Sequence, residues 1–243
     1  MAQIINLGSV ESTNRYCELL DLGAVEEFTC YHALEQTAGI GQRGNTWVSG
    51  QRGENLTFSL ILKPTFLPAA SQFRLTQTIS LALCDLLSPL APHHSTLIKW
   101  PNDIYIDGDK ICGTLISCRY TGDTISSAIC GIGLNVNQEE FPDWVPHPTS
   151  LALLTGHRHD PGTLLRQLLA CIERRYAGLR SGNDPTAEYL SRLMNLGVPR
   201  RYRHEGQEIT ATITGVDNYG RLLLTERDGN HLCCAMKEIA LVQ

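Results

Sequence analysis

The chain has 243 residues, which is enough for one large domain or for a domain with a small appendage. Hydrophobic residues make up 42% and charged residues 19%, a composition that excludes disorder over most of the length. The net charge of -5 argues against a dedicated nucleic-acid-binding protein. The sequence shows neither a signal peptide nor the roughly 20 consecutive apolar residues of a membrane span. Nine cysteines without a C-x-x-C pair fit reduced, buried thiols, so we expect a cytoplasmic protein without membrane or nucleic-acid partners.

The first half of the chain predicts strands interrupted by two helices. Ser12-Thr13-Asn14 suits the N-cap of a short helix that ends at Gly23. Apolar residues at helical spacing predict a longer helix over 69–87. Asp107-Gly108 suits the tight turn of a hairpin. Runs of apolar and β-branched residues predict strands, which we place at 28–34, 55–62, 96–100, 104–106, 110–118 and 124–135.

The second half predicts helices first and then a small β unit. Helices are expected over 161–180 and 186–195. Residues 198–243 contain short alternating runs separated by glycine-containing turns, which is typical of an all-β unit. The chain is therefore expected to be an α+β protein, in which a mixed β-sheet with packed helices precedes a small β domain.

A glycine-rich stretch after the first long strand raises the question of phosphate binding. Gly39, Gly41 and Gly44 match G-x-G-x-x-G, but later glycines interrupt the helix that a dinucleotide-binding fold requires at this point. A polar loop that approaches an anion with its backbone N–H groups fits better. Arg43 could pair with a phosphate, and Trp47 could cover a flat ring. The alternative is a surface loop without a ligand.

A second polar cluster follows at the end of a short strand. Lys99-Trp100-Pro101-Asn102-Asp103 concentrates an ammonium group, an amide and a carboxylate within one turn, and Lys110 follows beyond the hairpin turn. Two lysines near Arg43 favour a polyphosphate site. The alternative is that each lysine is a solvated surface charge, the usual situation for a single lysine.

Several segments, taken in this order, resemble the biotin–protein ligases: the early S-T-N, then "GIGQRGNTW", "ENLTFSLIL", "KWPNDIYIDGDKICGTLIS" and "GIGLNVNQ". The C-terminal "GVDNYGRLLLTERDG" and "KEIAL" resemble the small SH3-like domain of that family. The resemblance covers nearly the whole chain. It implies a biotin/lipoate ligase-like catalytic domain over 1–192 and an SH3-like domain over 193–243.

The resemblance also implies a two-step reaction. The carboxylate of biotin attacks the α-phosphate of ATP, which gives biotinyl-adenylate and pyrophosphate. A lysine amine on the carrier domain of a biotin-dependent carboxylase then attacks the acyl group and releases AMP. The attack of one anion on another requires cations that neutralise the developing charge, so Mg²⁺ is expected beside the lysines.

Site residues are carried over from the family position by position. The implied catalytic groups are Lys99, Asp103 and Lys110, with Asp103 receiving or orienting the incoming lysine amine. The implied biotin-binding residues are Ser12, Thr13, Asn14, Gln36, Gly39, Ile40, Gly41, Gln42, Lys110 and Gly113. The implied ATP-binding residues are Arg43, Trp47, Asn102, Gly131 and Asn135. No residue is assigned to a metal.

The glycine-rich loop departs from the family pattern, which commonly reads G-R-G-R-x-G-R. Here Ile40, Gln42 and Asn45 stand where the family has arginines, and only Arg43 remains. Fewer cations should hold the adenylate less tightly, so we expect faster leakage of biotinyl-adenylate from this protein.

Further expectations concern alternatives and partners. The S-T-N motif begins at Ser12, which leaves no room for the DNA-binding domain of some family members, so no DNA binding is expected. A ligase for lipoate or another short acyl group is one alternative, although the R-R-x-S-G-G-G-x-V-x-H-D motif of lipoate ligases is absent. A non-catalytic biotin sensor is the other. The oligomeric state is left open, with a homodimer among the assemblies considered.

Overall fold

The computed structural model describes residues 2–41 and 46–242. The helices among them are α1 Thr13–Glu18, α2 Phe73–Leu90, α3 Leu151–Thr155, α4 Pro161–Arg180 and α5 Thr186–Ser191, with a 3-10 turn at Ala69–Ser71. The strands are β1 Gln3–Asn6, β2 Ser9–Val10, β3 Thr29–Ala33, β4 Glu35–Gln36, β5 Leu56–Leu62, β6 Thr96–Lys99, β7 Asp103–Ile106, β8 Asp109–Thr121, β9 Thr124–Leu134, β10 Pro199–His204, β11 Gln207–Val216, β12 Leu222–Glu226, β13 His231–Cys234 and β14 Ile239–Leu241.

A seven-stranded sheet organises the first part of the chain, in the order β1-β3-β5-β9-β8-β7-β6. The β1–β3 pair is parallel and the other neighbours are antiparallel, so the sheet is mixed. Asp107 and Gly108 have φ angles of 51° and 95° in the turn between β7 and β8, as expected for the predicted hairpin. The predicted α+β class is confirmed.

The two faces of this sheet carry different layers. Helix α2 packs with α4 over one face, and its buried residues Leu75, Ile79, Leu83 and Leu86 recur at helical spacing. The short α1 lies against β3, β5 and β9. Because side chains alternate between the two faces along β5, its polar Thr57 and Ser59 lie on the same face as α1. This second face carries the cavity described below.

The C-terminal strands form a five-stranded antiparallel sheet in the order β13-β12-β11-β10-β14, which confirms the predicted β unit. This sheet packs directly beside the Lys99–Asp103 turn. Trp100 Nε1 donates to the carbonyl oxygen of Gly220 at 2.9 Å. A Cβ on Gly220 would lie 2.7 Å from Cγ of Phe73, so the ring needs glycine there. The domain boundary between residues 192 and 193 stays a prediction.

Two helices end earlier than predicted, and each has a local reason. Helix α1 ends at Glu18 rather than near Gly23, because Asp21 Oδ1 accepts a hydrogen bond from the Gly23 N–H at 3.0 Å and forms a turn. Helix α5 ends at Ser191 rather than at 195. There the backbone pairs with β6 instead: Ile98 N–H donates to Arg192 O, and Met194 N–H donates to Ile98 O, both at 2.8 Å.

The two-residue strands β2 and β4, which pair with each other, were not predicted, and neither were strand β1 and helix α3. Strand β1 is short and joins the sheet edge beside β3. Helix α3 has clear end signals in hindsight, since Ser150 caps it and Gly156 closes it at φ 73°. Among the described residues, no helix is both long enough and apolar enough to cross a membrane.

Candidate functional site

A cavity of about 570 Å³ opens beside α1 and extends to the C-terminal sheet. It gathers predicted site residues from five separated parts of the chain. Those that line it are Ser12, Thr13, Asn14, Gln36, Ile40, Gly41, Trp47, Lys99, Asp103, Lys110, Gly113, Gly131 and Asn135. The S-T-N motif, the described residues of the glycine-rich loop and the Lys99–Asp103 turn thus face one space.

One end of the cavity is a network of buried polar side chains. The Thr13 N–H donates to Oε1 of Gln36 at 2.7 Å. Asn14 Nδ2 donates to the carbonyl oxygen of Leu115 at 3.1 Å. The Ser59 hydroxyl lies 2.8 Å from Thr13 Oγ1 and 2.5 Å from Asn14 Oδ1. These bonds fix the orientation of each side chain before any ligand enters.

Ser12 holds the start of this network in place. Its hydroxyl oxygen accepts a hydrogen bond from the Arg15 N–H at 3.5 Å and caps α1. Ser12 is therefore the helix cap that the sequence predicts, and the same side chain is also predicted to bind biotin. Ser12 is 3% exposed and lines the cavity, so its hydroxyl can serve both.

Glycines in β9 allow two side chains to lie directly on the sheet. A Cβ on Gly131 would lie 2.7 Å from Cγ of Asn14, and a Cβ on Gly133 would lie 2.5 Å from Cζ2 of Trp47. Trp47 therefore packs its indole ring on the strand backbone. Its Nε1 is buried without a hydrogen-bond partner among the described residues.

The other end of the cavity carries the charged groups, which the hairpin register brings together. Lys99 pairs with Asp103 across β6 and β7, and Tyr105 pairs with Lys110 across β7 and β8. Lys110 Nζ lies 2.5 Å from Asp103 Oδ2. Lys99 Nζ donates to the Tyr105 hydroxyl oxygen at 3.1 Å. Gly113 adjoins this group, since a Cβ there would lie 3.4 Å from Lys110 Nζ.

Some predicted site residues lie elsewhere or support the site indirectly. Asn102 lines a different, smaller pocket and donates from Nδ2 to the carbonyl oxygen of Thr114 at 2.5 Å. Gly39 does not line the cavity but accepts a hydrogen bond from the Trp47 N–H at 2.9 Å. Asn135 lines the cavity while its Nδ2 donates to Thr149 O at 2.9 Å. Gln42 and Arg43 lie outside the described residues.

The sequence did not single out several residues that line or support the cavity. Ser59 supports the polar end, and Tyr105 contacts Lys99. Trp144 is 62% exposed at the cavity wall. A tryptophan between the prolines of "FPDWVPHP" is a sequence signal that could have pointed to a ligand contact. The C-terminal sheet contributes Tyr202, Ile213, Leu222, Ile239, Ala240 and Leu241. These apolar residues carried no signal, because only tertiary packing places them there.

The comparisons with known proteins agree with one another. The model of the biotin/lipoate A/B protein ligase family matches residues 7–135. The chain is 32% identical over 225 residues to the bifunctional ligase/repressor BirA of Bacillus spizizenii, covering 90% of this chain and 68% of that protein. It is 32% identical over 199 residues to the biotin–[acetyl-CoA-carboxylase] ligase of Paracoccus denitrificans, covering 79% of this chain and 82% of the relative.

A solved structure extends the match to the whole chain. The biotin protein ligase from Aquifex aeolicus, in complex with biotin and ATP, gives a TM-score of 0.82 at 26% identity. The alignment covers 100% of both chains. It therefore includes the C-terminal sheet, in agreement with the predicted SH3-like unit.

Proposed function

The chain belongs to the biotin/lipoate A/B protein ligase family, and we propose that it attaches biotin to a lysine of a carrier protein through biotinyl-5′-adenylate. ATP is the second substrate and AMP the final nucleotide product. One observation carries the proposal: a single cavity holds a fixed polar network at one end and two lysines with a carboxylate at the other. The first end suits a small polar ring, and the second suits a polyphosphate.

The polar end supports biotin over lipoate. The ring of biotin is a cyclic urea, with one carbonyl acceptor and two N–H donors. Ser12, Asn14 and Gln36 offer hydroxyl and amide groups that can match it. The dithiolane ring of lipoate has no such groups, so its binding would leave buried polar atoms without partners. A site built to hydrogen-bond its ligand rejects such an analogue strongly.

The charged end supports adenylation. The biotin carboxylate and the α-phosphate are both anions, so their reaction depends on nearby cations. Lys99 and Lys110 provide two, held half-buried at the cavity wall. Mg²⁺ would arrive with the phosphates of ATP, the usual mode for this ion. No three His, Cys, Asp or Glu side chains converge on a point within the described parts of the chain.

Asp103 would act in the second step. The attacking lysine amine must lose its proton, and a carboxylate in the cavity can receive or orient that amine. Asp103 Oδ2 lies 2.5 Å from the ammonium group of Lys110, and this contact with one amine supports the proposal that the carboxylate can also accept the incoming one. Ile40, Gly41 and Trp47 at the wall would shield the adenylate from water until the carrier arrives.

The carrier would be the biotin carrier domain of a biotin-dependent carboxylase. The proposal includes neither nucleic acid nor membranes among the partners, in keeping with the net charge of -5. A homodimer and a cytoplasmic location stay predictions.

Biotin-dependent exchange of labelled pyrophosphate into ATP, run with MgATP beside lipoate and octanoate, tests the proposal. We expect exchange with biotin alone. Lys110→Ala should abolish exchange but keep part of the biotin binding, whereas Lys63→Ala, remote from the cavity, should not change exchange. Biotin binding without any exchange in the unmodified protein would support the non-catalytic sensor. Exchange with lipoate or octanoate instead would support the ligase for another acyl group.

A further inference from the structure

The two lysines of the cavity have partners of different charge. Lys110 faces the carboxylate of Asp103 at 2.5 Å, which offsets its positive charge locally. Lys99 donates to the phenol oxygen of Tyr105 at 3.1 Å, and no described carboxylate forms an ion pair with it. The half-buried Lys99 therefore brings to the cavity a positive charge that no described carboxylate contacts directly, although Asp103 lies opposite it in the strand pairing.

The hydroxyl group of Tyr105 has an unused donor. A phenol carries one O–H donor and accepts through its oxygen. The oxygen is taken by Lys99, while the described residues provide no acceptor for the O–H. Tyr105 lines the cavity at 7% exposure, and burial raises the pKa of its phenol above the ordinary 10.0. The hydroxyl stays protonated at neutral pH and keeps its donor.

We propose that Lys99 and Tyr105 form one anion-binding pair that takes a pyrophosphate group, either within ATP or as the leaving product. Lys99 supplies the charge and Tyr105 supplies an O–H donor to a phosphate oxygen. Donation from the ammonium group into the phenol oxygen polarises the O–H and strengthens it as a donor. The assignment rests on the proposed function for its substrate, but the anion site itself follows from the geometry.

The location of the pair fits this role. Tyr105 follows Asp103 by two residues on β7, so both side chains project from the same face of the strand. Its cross-strand partner is Lys110. The pair therefore adjoins Lys110, the other lysine proposed to neutralise charge during adenylation, so the remaining phosphates of the same nucleotide would lie within its reach.

Tyr105→Phe tests the pair, because it keeps the ring and removes only the oxygen and its hydrogen. We expect the Kd for inorganic pyrophosphate and the KM for ATP to rise about tenfold, the usual effect of one lost charge-assisted hydrogen bond. The Kd for biotin should not change, which also shows that the variant is folded. Tyr176→Phe is the matched control: its buried phenol bonds to Glu27 at 2.7 Å, outside the cavity lining, and its pyrophosphate Kd should match wild type.

A double-mutant cycle with Lys99→Met tests whether the two residues act as a unit. Tyr105→Phe should have little further effect on pyrophosphate binding once Lys99 is gone. Strictly additive effects, or an unchanged pyrophosphate Kd in Tyr105→Phe, would overturn the proposal. Calorimetry with pyrophosphate needs no turnover. If the unmodified protein shows no exchange while the Tyr105→Phe effect persists, the enzymatic function fails and the anion site stands.

Discussion

Gly131→Ala should weaken both the fold and biotin binding, because the new methyl group has no room. A Cβ at Gly131 would lie 2.7 Å from Cγ and Nδ2 of Asn14, and closer still to its Oδ1. Asn14 is 5% exposed and cannot turn away without losing its bonds to Ser59 and Leu115. Overpacking costs about 1–3 kcal/mol, and each of the two lost hydrogen bonds about 1 kcal/mol, so about 3–5 kcal/mol is expected.

Thermal unfolding and biotin titration measure the two effects. For a chain of this length the loss corresponds to a decrease in Tm of roughly 6–20 °C. The Kd for biotin should rise at least about tenfold if one hydrogen bond from Asn14 is lost. Gly215→Ala is the control: the nearest atom to its new Cβ is Leu223 Cδ1 at 3.8 Å, so neither Tm nor Kd should change much.

Asn14→Ala removes the three side-chain atoms that the new methyl group would meet. Combining it with Gly131→Ala should therefore recover stability relative to Gly131→Ala alone, while biotin binding stays weak. If Gly131→Ala matches Gly215→Ala in both Tm and Kd, the close packing of Asn14 on this strand is not what holds the site. If the double variant is no more stable than Gly131→Ala, the cost arises from another contact.

Two further predictions concern pH and the glycine-rich loop. Burial lowers the pKa of His32 below 6.5, so the unfolded chain binds the proton more readily and stability should fall as the pH drops below about 6.5. The urea midpoint measured from pH 8 to 5 should decline less steeply in His32→Gln, and an identical slope would contradict this. Ile40→Arg should slow dissociation of biotinyl-adenylate in a stopped-flow chase, since it adds a cation at the cavity wall; an unchanged rate would count against the leakage prediction.

Local signals account for most of what the sequence predicted correctly about the fold. The α4 helix follows from its apolar spacing and begins at Pro161, directly after the cap Asp160. The hairpin of β7 and β8 follows from Asp107-Gly108. The two helix ends that were misplaced depend on other interactions. The Asp21 turn competes with α1, and the pairing of Arg192 and Met194 with β6 replaces the end of α5.

Site residues could be predicted from the sequence where they are polar and lie close together in one short motif. Lys99, Asp103 and Lys110 stand out in the sequence and meet in the structure. Ser59 gave no signal, because its hydroxyl matters only through Thr13 and Asn14, which are more than forty positions away in the chain. Apolar residues of the C-terminal sheet, such as Ile213, are indistinguishable in sequence from ordinary core residues.

The two ends of the cavity depend on different kinds of interaction, so substitutions should affect their functions differently. The charged end depends on the register of one antiparallel stretch, which sets Lys99 opposite Asp103 and Tyr105 opposite Lys110. A single substitution there can remove the chemistry and leave the fold intact. The polar end joins α1, β4 and β5 through interlocking hydrogen bonds, so each donor or acceptor supports another. Binding a carboxylic acid with a differently shaped ring in place of biotin would therefore require several coordinated substitutions at the polar end. Loss of adenylation would require only one substitution at the charged end.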